Sequence, residues 1–493
     1  MPVFAGAPAH LPPRRILVNT TRRRTPALLS LAAAASLAAL ALLSGCDSRD
    51  VAGLDVARAR IEPVVFDEGF DDDVYFQAFS GTDPYATSID SVFAYNSLHS
   101  WKVVVPPNGS ALGGYAGGVL TSGAPRDLAD YNALVFWVRS SANTQVNEVG
   151  FGNDNTGTSL LSAGRAAVAV NNTWQQVVIP IPAPQKMIAE RGMFTIAEGY
   201  EAQIQNGHTL WFDDIHWENL ATISNVRPTI TASNKQYFKG GTATIDGIST
   251  IFNVNGADVT VNHMPGYFNF TSSDPSVAEV QGKTIRVVGT GTASITGTME
   301  TTQPDGILKT LDVTGAVTLT GYDAPATAAP VPTVPEADVI SLYSDTYGNW
   351  PVTSWNPHWQ YSTAQNETYT IGGDATIMYS GLNFVGIVFQ AQNIDISQMT
   401  HMHLDVYAPA GTDFKVKLVN YSTSAGTTMN GQAEVTLNAA STPAFTPGGW
   451  SSLEIPMSSF PFNVGLVKNH IGQLILSTTD AQLVLVDNIY WHK

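Results

Sequence analysis

The 493-residue sequence has a single cysteine, and only 13% of its residues are charged. One thiol excludes an internal disulfide and a cysteine-rich zinc site, so stability must come from core burial, with oxygen ligands for any metal. The shortage of charge, beside 42 glycines, 28 prolines and 44% hydrophobic residues, excludes a coiled coil and a long disordered chain. Helical periodicity is almost missing, whereas short alternating apolar stretches punctuated by Gly, Pro, Asn and Asp run through most of the chain; this pattern predicts an all-β protein. There is no Gly-x-Ser-x-Gly elbow, no His-Glu-x-x-His helix and no phosphate-cradling glycine loop. A glycosidase needs two facing carboxylates. Here Asp71, Asp72 and Asp73 are plain neighbours, and Asp213 and Asp214 point to opposite faces of an extended strand. The reading is that the protein is not an enzyme. Residues 1–46 carry five arginines and no acid, which leaves 19 basic against 41 acidic residues, a balance of about −22, in the remainder. Such a balance does not favour nucleic acid or anionic lipid surfaces as partners.

The amino end has the form of a leader: Arg22, Arg23 and Arg24, an apolar run from Ala27 to Leu43, then Asp47 to Asp50. That run is short and alanine-rich for a hydrocarbon core ~30 Å thick. It closes on Leu43, Ser44, Gly45 and Cys46, which resembles the bacterial lipoprotein lipobox at all four positions. The resemblance implies cleavage before Cys46 and lipidation of that residue, and so a membrane partner through a lipid anchor in the bacterial cell envelope. The outer membrane or cell surface is favoured; Asp47 resembles an inner-membrane retention signal, which keeps that location open.

Beyond the leader, residues 324–335 form a Pro/Ala stretch that reads as an extended, fairly stiff linker with some freedom. The segments around it repeat one another. Residues 131–138 answer 399–406, 174–180 answer 450–456, and 210–217 answer 484–491. This register pairs Asp213 with Asp487, Trp217 with Trp491 and, near the start of each copy, Glu68 with Asp345. The predicted organisation is a signal peptide (1–45), a lipidated tether (46–61), a first sandwich (62–220), a different middle domain (221–322), a linker (323–336) and a second sandwich (337–493).

The two repeated segments look like galactose-binding-like jelly rolls that serve as carbohydrate-binding modules. The carboxyl-terminal one is similar to modules appended to bacterial laminarinase-type glycoside hydrolases, through Ser341 to Tyr347, Ser354 to Trp359, Asn383 to Ile387 and Val486 to Tyr490. The middle segment resembles the bacterial Ig-like group 2 domain through Phe270 to Val280 and Val288 to Thr296. These resemblances imply two jelly-roll β-sandwiches flanking an Ig-like β-sandwich. They also imply a polysaccharide ligand, with β-glucan as the first to test, and secreted glycoside hydrolases as partners. The carboxylate-bearing strand of the laminarinase-type enzymes themselves has no match.

Sugar recognition needs aromatic faces with polar side chains around them. Trp350, Trp355, Trp359 and Tyr361 cluster among Asn349, Asn356, His358 and Gln360, and on an extended strand Trp355 and Trp359 share a face. These four are the candidate carbohydrate contacts; in the first sandwich the aromatic candidates are Tyr75, Phe76, Phe79 and Tyr85. Trp174, Trp217, Trp450 and Trp491 read as core. Jelly rolls of this type bring first and last strands together, often around calcium, so Glu68 with Asp213, and Asp345 with Asp487, are candidate calcium ligands. His401 and His403 have a metal-pair spacing but no third ligand nearby, and read as surface or packed histidines. The function expected is that of a lipid-anchored, non-catalytic glycan-binding protein; the alternative is a structural or adhesive surface protein with a protein partner.

Overall fold

The computed structural model describes residues 60–303, 306–422, 428–462 and 468–493, and is all-β apart from single 3-10 turns. The leader, Cys46 and most of the tether lie outside the described residues. Among the described residues no helix is long and apolar enough to cross a membrane.

In the first sandwich one sheet runs in the order Thr87–Asp90, Ser100–Val105, His208–Glu218, Ala133–Ser140, Gln175–Pro180, with Val64–Phe66 added to the closing strand His208–Glu218. The carboxyl-terminal sandwich repeats this order: Gln365–Ile371, Asp374–Ser380, Leu483–His492, His401–Tyr407, Trp450–Pro456, with Val339–Tyr343 on the closing strand Leu483–His492. The facing sheets correspond too. Tyr115–Arg126, Glu190–Gly199, Thr144–Phe151, Ala163–Val170 in the first are matched by Phe384–Val388, Ile471–Ser477, Asp413–Tyr421, Met429–Asn438 in the second. Both closing strands break step at the same point, where Asp214 and Asn488 take left-handed backbone angles of 48° and 49°. The two folds are jelly-roll sandwiches of one design.

Alternation builds each core. In Trp450–Pro456, Leu453 and Ile455 are fully buried while Ser452 and Glu454 are exposed. Trp217 and Trp491 are core, as their place in the repeat predicts. Trp174 and Trp450 are only half-buried: each stands at a strand start on the outer face, Trp174 with its ring centroid 6.0 Å from the Arg139 guanidinium, and Trp450 donating from Nε1 to Thr327 O at 2.9 Å. A matching position in a repeat therefore did not mean a core position.

Residues 223–263 add to the first sandwich instead of standing apart. Ala257–His263, Ser249–Val254 and Ile223–Thr229 extend its outer sheet beyond Ala163–Val170, giving eight strands in one sheet. The boundary read at 220–221 falls within this shared sheet. The rest of the middle segment forms a five-stranded sheet containing a parallel pair, Ser233–Phe238 with Val317–Tyr322, and a three-stranded sheet. The Pro/Ala stretch is not a loose tether either. Trp450 holds Thr327 O, Asn488 Nδ2 donates to Pro330 O at 3.1 Å and Tyr347 OH to Val334 O at 2.8 Å. Ala324 and Ala328 pack on a patch that contains Tyr407 and Leu485. A proline-rich segment lacks backbone donors, so side chains of the sheet beneath supply them.

Candidate functional site

Residues 350–363 do not form a strand. Pro351 and Pro357 interrupt them, and His358 and Tyr361 take positive φ values of 52° and 73°. The segment is fastened to the edge strand Phe384–Val388: Val388 N donates to Ser354 O (2.8 Å), Ser362 Oγ to Phe384 O (2.7 Å) and Asn383 Nδ2 to Tyr361 O (2.7 Å). Buried Asn356 braces its interior by donating to Ala364 O at 2.8 Å.

This path separates the four aromatic candidates. Trp359 lies over Gly386, so closely that a Cβ on Gly386 would sit 2.3 Å from the indole Cη2. Gly386 alternates with the core residues Val385 and Ile387, so Trp359 covers the outer face of the four-stranded sheet. Tyr361 stands two residues on, 80% exposed. Trp355 instead packs edge-on against Tyr343, ring centroids 5.5 Å apart, and against the core. Trp350 also packs on the core, its Nε1 donating to Gln392 O at 2.7 Å. The shared face expected for Trp355 and Trp359 fails because the chain turns between them.

Strand register lays out the rest of the face. From Gly386 the cross-strand row runs through Ile475 and Lys417 to Glu434; beside it run Phe384, Ser477, Lys415, Thr436 and Val388, Gln473, Val419, Gln432. Lys417 and Glu434 pair at 3.0 Å, and Gln390 Oε1 accepts from Tyr421 OH at 2.7 Å. An indole at one edge of a sheet bearing amides, a hydroxyl and an ion pair offers an apolar platform and hydrogen-bonding groups together. Of the residues at this face Trp359 and Tyr361 were candidates from the sequence; Gln432, Gln473 and Lys417 carry no sequence signal, because alternation marks any outward strand position alike. The equivalent face of the first sandwich has Tyr75, 45% exposed, and Tyr115, whose ring covers Gly117. Phe76 there turns inward against Trp101.

The acidic candidates divide by copy. In the second sandwich Asp345, Asp374 and Asp487 converge. Asp487 is buried; its Oδ1 accepts from Asn488 N at 2.7 Å, while Oδ2 is buried with no protein partner. Burial, then the Asp374, Asp405 and Asp345 charges, push its carboxyl up to about 7. Burial and then the neighbouring Asp345 raise Asp374 as well, and burial with Asp487, Asp345 and Asp374 takes the Tyr343 phenol up to about 12. A hard cation would satisfy the orphaned oxygen and neutralise the cluster, which keeps Asp345, Asp374 and Asp487 as candidate calcium ligands. Asp374 was missed because only the pairing of its strand, Asp374–Ser380, with Leu483–His492 brings it near Asp487.

In the first sandwich Glu68 and Asp213 do not make such a site. Asp213 Oδ2 accepts from Tyr95 N (2.6 Å) and Ser97 Oγ (2.9 Å), and its Oδ1 accepts from Asp214 N (2.8 Å), so both oxygens are in use. Glu68 is exposed and holds Leu98 N and His99. Leu98 also stands at the register position of Asp374, three residues before Trp101 as Asp374 is three before Ile377. The counterpart of Asp374 is missing, although Asp67 lies near enough to act on Asp213, and Glu68 and Asp213 fasten the loop.

His401 and His403 also part company. Both His403 nitrogens are taken, Nδ1 by Glu454 Oε2 (2.9 Å) and Nε2 by Asp405 Oδ2 (3.3 Å). Although burial disfavours its charge, these two carboxylates raise the imidazole to about 9. His401 lies across the strand from His492.

Neither a protein-family profile nor a curated protein matches the chain. Among solved structures it is similar to the family 11 carbohydrate-binding module of a Clostridium thermocellum cellulosomal cellulase, at 15% identity over 27% of this chain and 84% of that one, TM-score 0.22. It is also similar to the CBM22 tandem domain of Paenibacillus barcinonensis, at 11% identity over 89% and 99%, TM-score 0.20. A third likeness is to a β-1,2-glucanase from Parabacteroides distasonis, at 13% identity over 54% and 40%, TM-score 0.24.

Proposed function

We propose that the protein is a non-catalytic glycan-binding protein, held in the bacterial envelope by a lipid on Cys46, that grips a polysaccharide on the outer four-stranded face of its carboxyl-terminal jelly roll. The observation that carries this reading is the indole of Trp359 laid over Gly386 at the edge of a face lined by Gln432, Gln473, Lys417 and Glu434. The ring would stack on the CH-rich side of a pyranose, and the amides and ion pair would meet hydroxyls. β-Glucan is the first polymer to test, and secreted hydrolases acting on it are the proposed partners. Calcium at Asp345, Asp374 and Asp487 would hold the first and closing strands together away from the sugar; its part is structural. The Tyr75 and Tyr115 face is the candidate for a second, weaker contact, which would add avidity on a long polymer.

Affinity electrophoresis of the purified protein in gels containing laminarin, mixed-linkage β-glucan, xylan, mannan or alginate tests the reading. Retardation by one polymer, lost in Trp359→Ala but kept in Trp174→Ala, supports it. No retardation by any polymer transfers the weight to an adhesive protein with a protein partner.

A further inference from the structure

We propose that His401, Glu454 and His492 form a transition-metal site, with Zn²⁺ as the expected ion, on the outer face of the six-stranded sheet of the carboxyl-terminal sandwich. The three residues come from three neighbouring strands. His401 faces His492 directly in register, and Glu454 lies opposite His403, one alternate position away. Met402, Leu404, Leu453, Ile455 and Trp491 between them point into the core, which turns all three outward. Each presents a ligand atom within 4.8 Å of the other two. The imidazoles are nearly parallel, at 13°, with centroids 5.3 Å apart.

The surroundings already orient these groups as a metal requires. His401 Nδ1 is held by Thr400 Oγ1 at 2.9 Å, and His492 Nδ1 by Lys493 O at 2.9 Å, so the nitrogen each ring has left is Nε2. Glu454 Oε2 is taken by His403, itself braced by Asp405, and Oε1 is left to meet His492 Nε2. Ring nitrogens fixed through their far side, and a carboxylate fixed through its second oxygen, are the outer-shell contacts that tune metal ligands. His492 Nε2 and Glu454 Oε1 already face one another, and the cation would sit between them. Two imidazoles and one carboxylate suit zinc, or copper and nickel, and do not suit calcium or magnesium. Three protein ligands on a partly exposed face leave a fourth position for water or for an oxygen or nitrogen donor from a bound molecule.

The test is equilibrium dialysis of the tag-free protein against ZnCl₂ in calcium-containing buffer, followed by metal analysis, with Co²⁺ absorption as a spectroscopic probe. The wild type should retain zinc against excess calcium and magnesium, and His401→Gln with His492→Gln should abolish both the retained zinc and the cobalt spectrum. His403 acts as a positioning residue: His403→Gln should keep the cobalt spectrum but weaken zinc about 10–100-fold. Thermal unfolding without metal checks that each variant folds; should the double variant fail, His401→Gln alone, at a half-buried position, replaces it. No retained zinc in the wild type, or equal zinc in folded His401→Gln, overturns the proposal.

Discussion

Arg126 is fully buried, and its guanidinium reaches Val64 O (2.6 Å), Glu62 O (3.0 Å), Asp71 (2.7 Å) and Asp73 (2.8 Å). Burial alone would raise the Asp73 carboxyl, but hydrogen bonds from Arg126, Ser122 and Ala124 outweigh it and bring the group to about 2. Since the folded pKa lies below the ordinary 3.8, the stabilisation is present above that value and lost as pH falls toward 2. Arg126→Met should therefore cost about 3–5 kcal/mol in urea unfolding at neutral pH, because both carboxylates lose their buried partner. At the proposed glycan face the residue that sets the place of the indole is the smallest one, Gly386. Gly386→Val should displace the Trp359 ring and remove polymer retardation while the fold survives, at a cost of about 1–3 kcal/mol by denaturation. A variant that keeps full retardation would separate Trp359 from binding.

At the scale of elements, the hairpin Gln365–Ile371 to Asp374–Ser380 carries Asp374, whose register position in the first sandwich holds Leu98. Calcium should raise the melting temperature of the wild type, and Asp374→Asn should abolish that rise; an Asp213→Asn change in the first sandwich should leave it intact. The strand Ala257–His263 makes a second case. It couples the middle segment to the first sandwich through His263 opposite Ala163. His263 is half-buried, its ring nitrogens meeting Thr250 Oγ1 at 3.0 Å and Met264 O at 2.9 Å, and desolvation lowers its pKa from 6.5 to about 4. The unfolded chain takes up that proton first, so stability is full above about 6.5 and falls as the pH drops toward 4, by on the order of 3 kcal/mol. His263→Gln should flatten this part of the pH profile of unfolding.

At the scale of the molecule, one core cluster runs through the first sandwich and the middle segment, and a separate one fills the carboxyl-terminal sandwich. Calorimetry should accordingly give residues 60–322 as one transition and 337–493 as another. A chain cut at 220 would lose three strands of an eight-stranded sheet and leave Ala163–Val170 as a bare edge, so it should aggregate. The strap formed by residues 324–335 limits how far the two sandwiches can move. Trp450→Ala should raise the rate of proteolytic cutting there, whereas a free linker would be cut equally fast in both proteins.

The all-β class, the duplicated sandwich and the alignment of Asp213 with Asp487 and Trp217 with Trp491 were legible in the sequence, because alternation and repeated order are local properties of the chain. The same logic could not tell Trp359 from Trp355, since the side each indole takes depends on two prolines and two left-handed residues. Nor could it tell that His403 is used up by Glu454 and Asp405 while His492, 91 positions from His401, stands beside it. Local pattern determined which strands exist and which of their faces is apolar. Which polar groups meet on the other face was decided by strand order and register, and those are set by the packing of the whole sheet.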